Sequence, residues 1–575
     1  MNRFYLFLFL LLCGNFVYSQ NLEVVDITPD ANTIATDFDM DISINFNVTP
    51  DQESINSNSI KVFGRWSGPM AGELLVLPNA NQVRFHPTQP FSAGEQVTVT
   101  LAKTIRGLDG ETMEFGYSHQ FWAKTNPGSL VQQYESTIEL RRPDEGLIQT
   151  YGAYAGDINN DNFSDLVVVN ETSDDLRILL NDGTGHYGDF VVYPMGNLSP
   201  SPNEGGDFNN DGEIDFAVST AHQDEVRVMF GDGQGNFSPM ETYHTDMGVR
   251  GLVVLDCNGD AHDDIFVTNR IAGNLSLLTN DGTGNFTVSG FNSDGEGESA
   301  VSVADANHDG IPDLFIGMYT SQEIVIFLGD GEGFFNISDR TAVPGNPWML
   351  GTGDFNNDGH PDVVSANSLG NATVVCFGDG MGGLSAPDVY TVPGVQFPLA
   401  IDVGDIDGDG DLDFVSSNYN STNYVVFEND GAGNFSAADI LTAPNHASCA
   451  ILHDRDNDGD LDISGTDEGD DIIILFENPG PVAIQDPALR QIKMQLSPNP
   501  AAKKFNLAFE LEASELVEIS LYDREGRLVQ QLFSGKLPAG SQQMYWELKT
   551  LPQGVYHCRL QGESFFGVEK LVVGK

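Results

Sequence analysis

Between Lys124 and Lys493 the chain has no lysine, and over all 575 residues 26 basic side chains face 84 acidic ones, a formal charge of -58. Nucleic acid and anionic membrane surfaces both require a basic face, so neither is a partner. The missing lysines also remove Schiff-base chemistry from the middle of the chain. Cysteine is scarce, five in total. Beyond Cys13, the remaining Cys257, Cys376, Cys449 and Cys558 have no paired spacing, so they outline neither a disulfide framework nor a zinc site. No nucleophile elbow, zinc motif or phosphate loop occurs. No apolar run reaches the ~20 residues of a membrane span.

The one apolar run of note, residues 4–12 in MNRFYLFLFLLLCGNFVYSQ, follows Arg3 and precedes the small Ser19. That order is an export signal over residues 1–19, cut after Ser19. An exported protein of this size without disulfides must be held together by something else.

Aspartate is abundant, and it is periodic. The pattern DxNxDxxxD, with Asp allowed at position three, starts at Asp157, Asp207, Asp256, Asp305, Asp354, Asp405 and Asp454, at intervals of 50, 49, 49, 49, 51 and 49 residues. Each copy sits between a short apolar run and a strand-like run such as DLVVV or DFAVS. A second strand, a glycine turn (NDGTGHY, GDGQGNF, NDGTGNF, GDGEGFF, GDGMGGL, NDGAGNF) and a last short strand follow. Glycine there supplies the positive φ of a tight hairpin. Four antiparallel strands in about 49 residues make a propeller blade. The seventh copy lacks its last strand, and QQYESTIEL at 132–140 has the character to supply it, closing the ring without a free edge.

Oxygen ligands at positions one, three, five and nine, with a backbone carbonyl at seven and a sharp turn at six, form a cage for a hard cation. Calcium, with about six to eight flexible oxygen ligands, fits it better than octahedral magnesium. The candidate ligands are Asp157, Asn159, Asp161 and Asp165; Asp207, Asn209, Asp211 and Asp215; Asp256, Asn258, Asp260 and Asp264; Asp305, Asn307, Asp309 and Asp313; Asp354, Asn356, Asp358 and Asp362; Asp405, Asp407, Asp409 and Asp413; and Asp454, Asp456, Asp458 and Asp462. Up to seven Ca2+ ions are expected. The sixth and seventh loops carry four charged ligands each, whereas Ala261 at position six of the third loop is strained by roughly 1 kcal/mol or more. His262, His308 and His360 lie in these loops at non-ligand positions and read as turn residues.

These repeats resemble the FG-GAP and VCBS families, which implies a seven-bladed β-propeller of the integrin-alpha type over residues 131–482. Residues 22–125, with DISINFNV, SIKVFG, QVRFHP and EQVTVTL separated by turn signals, resemble bacterial Ig-like β-sandwiches. Residues 494–575, from LSPNPAAKKFNL through LPQGVYHCRL to EKLVVGK, carry nine basic and nine acidic groups and resemble the type A sorting domain of the type IX secretion system. That resemblance implies export through both membranes by the type IX machinery, and release or retention at the outer surface. The fold class expected is all-β: a seven-bladed propeller flanked by two small β-sandwich domains.

The function expected is a secreted or cell-surface calcium-binding propeller that recognises a glycan or an extracellular protein. An extracellular polysaccharide lyase or hydrolase and a structural surface scaffold stand as alternatives, because fold does not decide function. Six residues before each first aspartate lie Tyr151, Ser201, Arg250, Ser299, Trp348, Leu399 and Ser448. The large members, with Arg270, Tyr319 and Tyr419 from nearby loops, form the candidate ligand site on the face opposite the acidic loops. Plugging of the channel is the plainer reading of the same residues.

Overall fold

The computed structural model describes residues 21–480 apart from 36, 39, 197 and 198, and residues 490–574 apart from 512–514, 523–527, 549–550, 552 and 563–564. The export signal expected at 1–19 lies outside the described residues. What is described is all-β, with three short 3-10 turns and no helix long and apolar enough to cross a membrane.

Each aspartate repeat folds as one antiparallel sheet of four strands, and seven such sheets follow in chain order. The first strand of each touches the first strand of the next, and that of the seventh (Ala447–His453) touches that of the first (Thr150–Gly156), so the ring is closed. The segment Gln133–Glu139 supplies the fourth strand of the last sheet, pairing Glu139 with Ile472 and Gln133 with Glu477. The second strands, such as Asp165–Asn170 and Asp413–Asn418, are buried at every residue. Neighbouring sheets cover both of their faces, which is why they read as unbroken apolar runs.

The turns lock each sheet to the one before it. Asn280 Nδ2 donates to Phe208 O (2.8 Å), Asn429 Nδ2 to Phe355 O (2.8 Å) and Asn478 Nδ2 to Ile406 O (3.0 Å); Asn181 Nδ2 closes the ring by donating to Arg455 O (2.9 Å). Where glycine starts the turn, a side chain has no room: a Cβ on Gly378 would lie 2.3 Å from Pro361 O.

Two four-stranded sheets make the N-terminal domain. One runs Val24–Thr28, Ile42–Phe46, Gln82–Pro87, Gly72–Leu77; the other Gly68–Pro69, Ile60–Gly64, Gln96–Leu101, Tyr117–Trp122. Alternate residues such as Ile42, Ile44, Val97 and Val99 fill its core. The C-terminal domain pairs a five-stranded with a three-stranded sheet around Phe505, Leu507, Ile519 and Leu560.

Candidate functional site

The seven acidic loops share one backbone. In each, the position-one carboxylate accepts the N–H groups of positions five and six, as when Asp405 Oδ1 accepts from Asp409 (3.1 Å) and Oδ2 from Gly410 (3.2 Å). Position six is left-handed throughout, from Gly410 (φ 96°) to Asn162 (φ 67°) and Ala261 (φ 60°). Position four is left-handed as well: Asn160, Asn210, Gly259, His308, Asn357, Gly408 and Asn457 all have φ between 57° and 73°. Asn and Gly are the residues that tolerate this conformation, so their recurrence at position four was a signal that the sequence reading passed over.

The position-nine aspartates tie the loop to the rest of the sheet. Asp413 Oδ2 accepts from Ile406 N (3.1 Å), inside the loop, and Oδ1 from Asn429 N (2.8 Å), the first residue of the glycine turn. The latter bond recurs in every repeat, at Asp165, Asp215, Asp264, Asp313, Asp362 and Asp462. Burial pushes the carboxyls of Asp165, Asp215, Asp264, Asp313 and Asp362 up to about 8, and those of Asp413 and Asp462 well above the usual range. Burial and then the neighbouring aspartates raise Asp405 to about 7 and Asp407 to about 6. Carboxylates held this way are poor anions unless a cation joins them.

In the sixth loop one oxygen each of Asp405, Asp407 and Asp413 lies within 4.8 Å of the others, and in the seventh the same is true of Asp454, Asp456 and Asp458. Oxygens about 2.4 Å from a common calcium would stand that close. The donors are all oxygen, so the set fits a hard cation. In the second, fourth and fifth loops the position-three Asn donates to the position-five Asp, for example Asn307 Nδ2 to Asp309 Oδ2 (2.9 Å). The loop histidines hold no carboxylate cluster: His308 Nε2 and His360 Nδ1 share a hydrogen bond of 2.6 Å.

The N-terminal domain and the segment after it are seated on these loops, a contact that sequence reasoning did not foresee. Trp66 O accepts from Asp157 N (2.7 Å), Lys61 Nζ meets Asn210 Oδ1, Lys103 N donates to Gly259 O (2.8 Å) and Ser118 N to Gly310 O (2.7 Å). Asn32 Nδ2 donates to Gly359 O (3.1 Å), Gly128 N to Asp407 O (2.7 Å) and Asn126 N to Gly459 O (2.7 Å). All seven loops are engaged, and among the described residues none through its position-seven carbonyl. Trp66 is 1% exposed and packs among propeller residues, and Arg65 pairs with Asp402 of an inner strand at 2.7 Å. A cavity of about 710 Å³ remains in the channel, with Arg65 and Phe63 at one end and Arg250 and Trp348 at the other.

At the opposite end all six candidate ligand residues come together. Arg250 Cζ lies 4.9 Å from the Tyr151 ring centroid and 5.0 Å from that of Trp348, whose indole N–H donates to Tyr151 Oη (3.0 Å). Arg250 also pairs with Glu171 (2.9 Å) and donates to Ser201 Oγ (2.7 Å). Arg270 Cζ sits 4.5 Å from the Tyr319 ring and 4.7 Å from Trp348. Tyr419 joins through Phe397, 6.5 Å from Trp348 and 6.2 Å from Tyr419, and stacks on His446 at 4.3 Å. Tyr419 Oη donates to Glu468 Oε1 (3.2 Å), which also accepts from Gln149 Nε2 (2.7 Å).

Phe397, His446, Glu171 and Glu468 were not singled out from sequence, although register could have found them. Arg270, Tyr319, Tyr419, Glu171 and Glu468 all stand six residues after their position-nine aspartate, and Gln149, Phe397 and His446 eight before their position-one aspartate. Phe397 has φ 60°, where the third and fourth repeats use Gly248 and Gly297 and the first and second hold Gln149 (φ 63°) and Ser199 (φ 48°). A bulky residue there is strained, and strain of this kind gathers at functional sites.

Comparison with known families agrees with this anatomy. FG-GAP-like repeats match at 207–267, 256–316, 305–365, 354–416 and 405–464, a bacterial Ig-like domain at 19–123, and a secretion system C-terminal sorting domain at 495–574. No curated protein matches the chain. Similar solved structures include BBS1N in complex with ARL6DN, soaked with lead, at 11% identity over 61% of this chain and 98% of that one (TM-score 0.45). A protein from Lactobacillus plantarum is 14% identical over 68% and 97% (TM-score 0.42). An Agrocybe aegerita lectin that recognises non-reducing terminal N-acetylglucosamine is 18% identical over 69% and 94% (TM-score 0.37).

Proposed function

We propose that this chain, an exported protein of FG-GAP-like repeats with a bacterial Ig-like domain before them and a secretion system sorting domain after them, is a calcium-stabilised binding propeller. Its recognition surface is the channel mouth opposite the acidic loops, and its ligand is a glycan or an extracellular protein. The observation that carries this reading is the mouth itself: aromatic and arginine side chains from five repeats converge there, and one of them, Phe397, occupies a backbone position suited to glycine. The acidic loops are covered by the N-terminal domain, which leaves them a structural task. Calcium there replaces the repulsion of clustered carboxylates by coordination, and binding energy becomes folding energy.

Within the cluster the work divides. Tyr151, Trp348 and Arg250 satisfy one another and Glu171, and they close the channel. A lyase built on Arg250 and a free carboxylate partner is disfavoured, because the guanidinium is already committed to Glu171, Ser201 and two rings. The outer residues Arg270, Tyr319, Phe397, Tyr419 and His446 are partly exposed and available to a ligand.

The test is Phe397→Gly in calcium-loaded protein, probed against a panel of oligosaccharides and extracellular-matrix proteins. Gly relieves the backbone, so the melting temperature holds or rises, while capture of the ligand falls. A variant that melts lower and binds as before assigns the ring to packing and ends the proposal.

A further inference from the structure

The eight arginines of the propeller are not treated alike. Arg141, Arg177, Arg227, Arg250, Arg340 and Arg455 each pair with a carboxylate within 3.2 Å, and Arg142 stands over Phe190 beside Glu145. In so acidic a region that is the expected fate of a cation. Arg270 is the exception: among the described residues its guanidinium has no ion pair and makes no hydrogen bond, and its only close partners are the rings of Tyr319 and Trp348. Ring faces attract a cation without accepting its full fork of N–H donors. A half-buried guanidinium with its donors unspent is costly to keep, and burial and then Arg250 beside it lower its pKa.

An unspent planar fork matches a planar carboxylate, which takes two parallel N–H···O bonds. The setting narrows the rest of the ligand. Across the mouth the partly exposed Glu171, which accepts from Arg250 and Gln149, keeps carboxylate lone pairs that can accept from hydroxyl groups, Glu468 being buried and engaged by Gln149 and Tyr419, while the Phe397 and Tyr419 rings offer apolar faces. The chain's charge of -58 repels a dense polyanion. One carboxylate among hydroxyls on a ring describes a sugar acid at the end of a saccharide chain.

We propose that Arg270, held between Tyr319 and Trp348, is the anchor for the carboxylate of a terminal acidic sugar. This rests on the reading of the mouth as the recognition face, and it names the ligand's chemical class. It needs no metal at the mouth and no covalent step.

Titration calorimetry on the calcium-loaded full chain tests it with three probes: a short oligosaccharide ending in a uronic acid, the same oligosaccharide ending in the neutral sugar, and a peptide ending in glutamate. The expected result is binding of the acidic saccharide, with the neutral form weaker by about ten- to a hundred-fold. Arg270→Gln should remove that difference, and Arg270→Lys, which keeps the charge but not the fork, should fall between. Because Arg270 makes no ion pair, both variants should melt within a few degrees of the parent, which separates loss of binding from loss of fold. Equal binding of the acidic and neutral saccharides, an unchanged Arg270→Gln variant, or preference for the peptide overturns the inference. If neutral glycans bind and depend on Phe397, only the acidic anchor falls. If no saccharide or protein probe binds at all, the reading of the mouth falls with it.

Discussion

Removing calcium should make this protein sensitive to pH in a direction opposite to ordinary acid denaturation. Five position-nine carboxyls are buried and held near pKa 8, against about 4 in an unfolded chain. Each therefore carries a proton in the folded, calcium-free protein that the unfolded chain has already lost. Stability contributed in this way is complete below about pH 4 and is lost as pH rises through about 8. One such carboxyl gives a slope of about 1.4 kcal/mol per pH unit, or about 3 kcal/mol between pH 5.5 and 7.5. At about 1.4 °C per kcal/mol for the roughly 350 residues of the propeller, the chelated protein should melt about 4 °C lower at pH 7.5 than at 5.5 even if a single site behaves this way. On the proposed reading calcium takes the place of the proton, so the loaded protein should show little of that slope. Its advantage over the chelated form at pH 7.5 should reach about 3 kcal/mol for each site at a hundredfold excess over its dissociation constant. The assay is calorimetry at both pH values, with calcium and with chelator. Equal melting in all four conditions, or a chelated protein that gains stability as pH rises, would refute the argument.

Two further substitutions probe the scaffold. Trp66→Ala removes a side chain that is 1% exposed between the N-terminal domain and the propeller, a loss of about 3–5 kcal/mol. It should expose the junction around residues 125–131 to limited proteolysis while leaving the propeller's melting largely intact. Asn429→Ala deprives Phe355 O and Leu412 O of their donor and the N–H groups of Gly431 and Gly433 of their acceptor. It should lower the denaturant midpoint by the equivalent of about 2–3 kcal/mol, and an unchanged midpoint would show that water replaces the bridge.

What the sequence made legible was whatever depends on side-chain type recurring at a fixed interval. The acidic loops, the glycine turns, the missing fourth strand and the ring of residues beginning at Tyr151 all fall out of counting. The seat of the N-terminal domain and the segment after it did not, because five of the seven loops are reached through carbonyls, those of Gly259, Gly310, Gly359, Asp407 and Gly459, and a backbone carbonyl leaves no mark on the sequence. Asn280 and Asn429 enter the sequence reading only as the first residues of glycine turns, and their task of reaching across to Phe208 and Phe355 is visible only once the sheets are stacked. Phe397 was missed for a different reason: in a one-dimensional reading, a phenylalanine before a proline is an ordinary loop residue, and only the place of its ring between Trp348 and Tyr419 sets it apart.

Repeats also allow an internal comparison that bears on where function lies. Equivalent positions of the seven sheets see nearly the same backbone, so geometry alone should fill them with similar residues. It does so at the acidic end, where position one, position five and position nine are aspartate in every copy. At the mouth it does not: the inner ring reads Tyr151, Ser201, Arg250, Ser299, Trp348, Leu399, Ser448, and the position six after each last aspartate reads Glu171, Ala221, Arg270, Tyr319, Ser368, Tyr419, Glu468. The second repeat contributes only Ser201 and Ala221, while the third supplies both arginines and the fourth and sixth supply tyrosines. A plug could be built from any side chains of sufficient volume, and volume would be satisfied by leucine or phenylalanine placed symmetrically. An arrangement that pairs one arginine with a carboxylate, leaves the other, Arg270, against the rings of Tyr319 and Trp348, and gathers Glu468 with Gln149 and Tyr419 has polarity across the mouth, and closing a channel requires none. That asymmetry is the physical reason to look for a ligand with one charged end and a polar body at this face, and not at the uniform, covered face of the acidic loops.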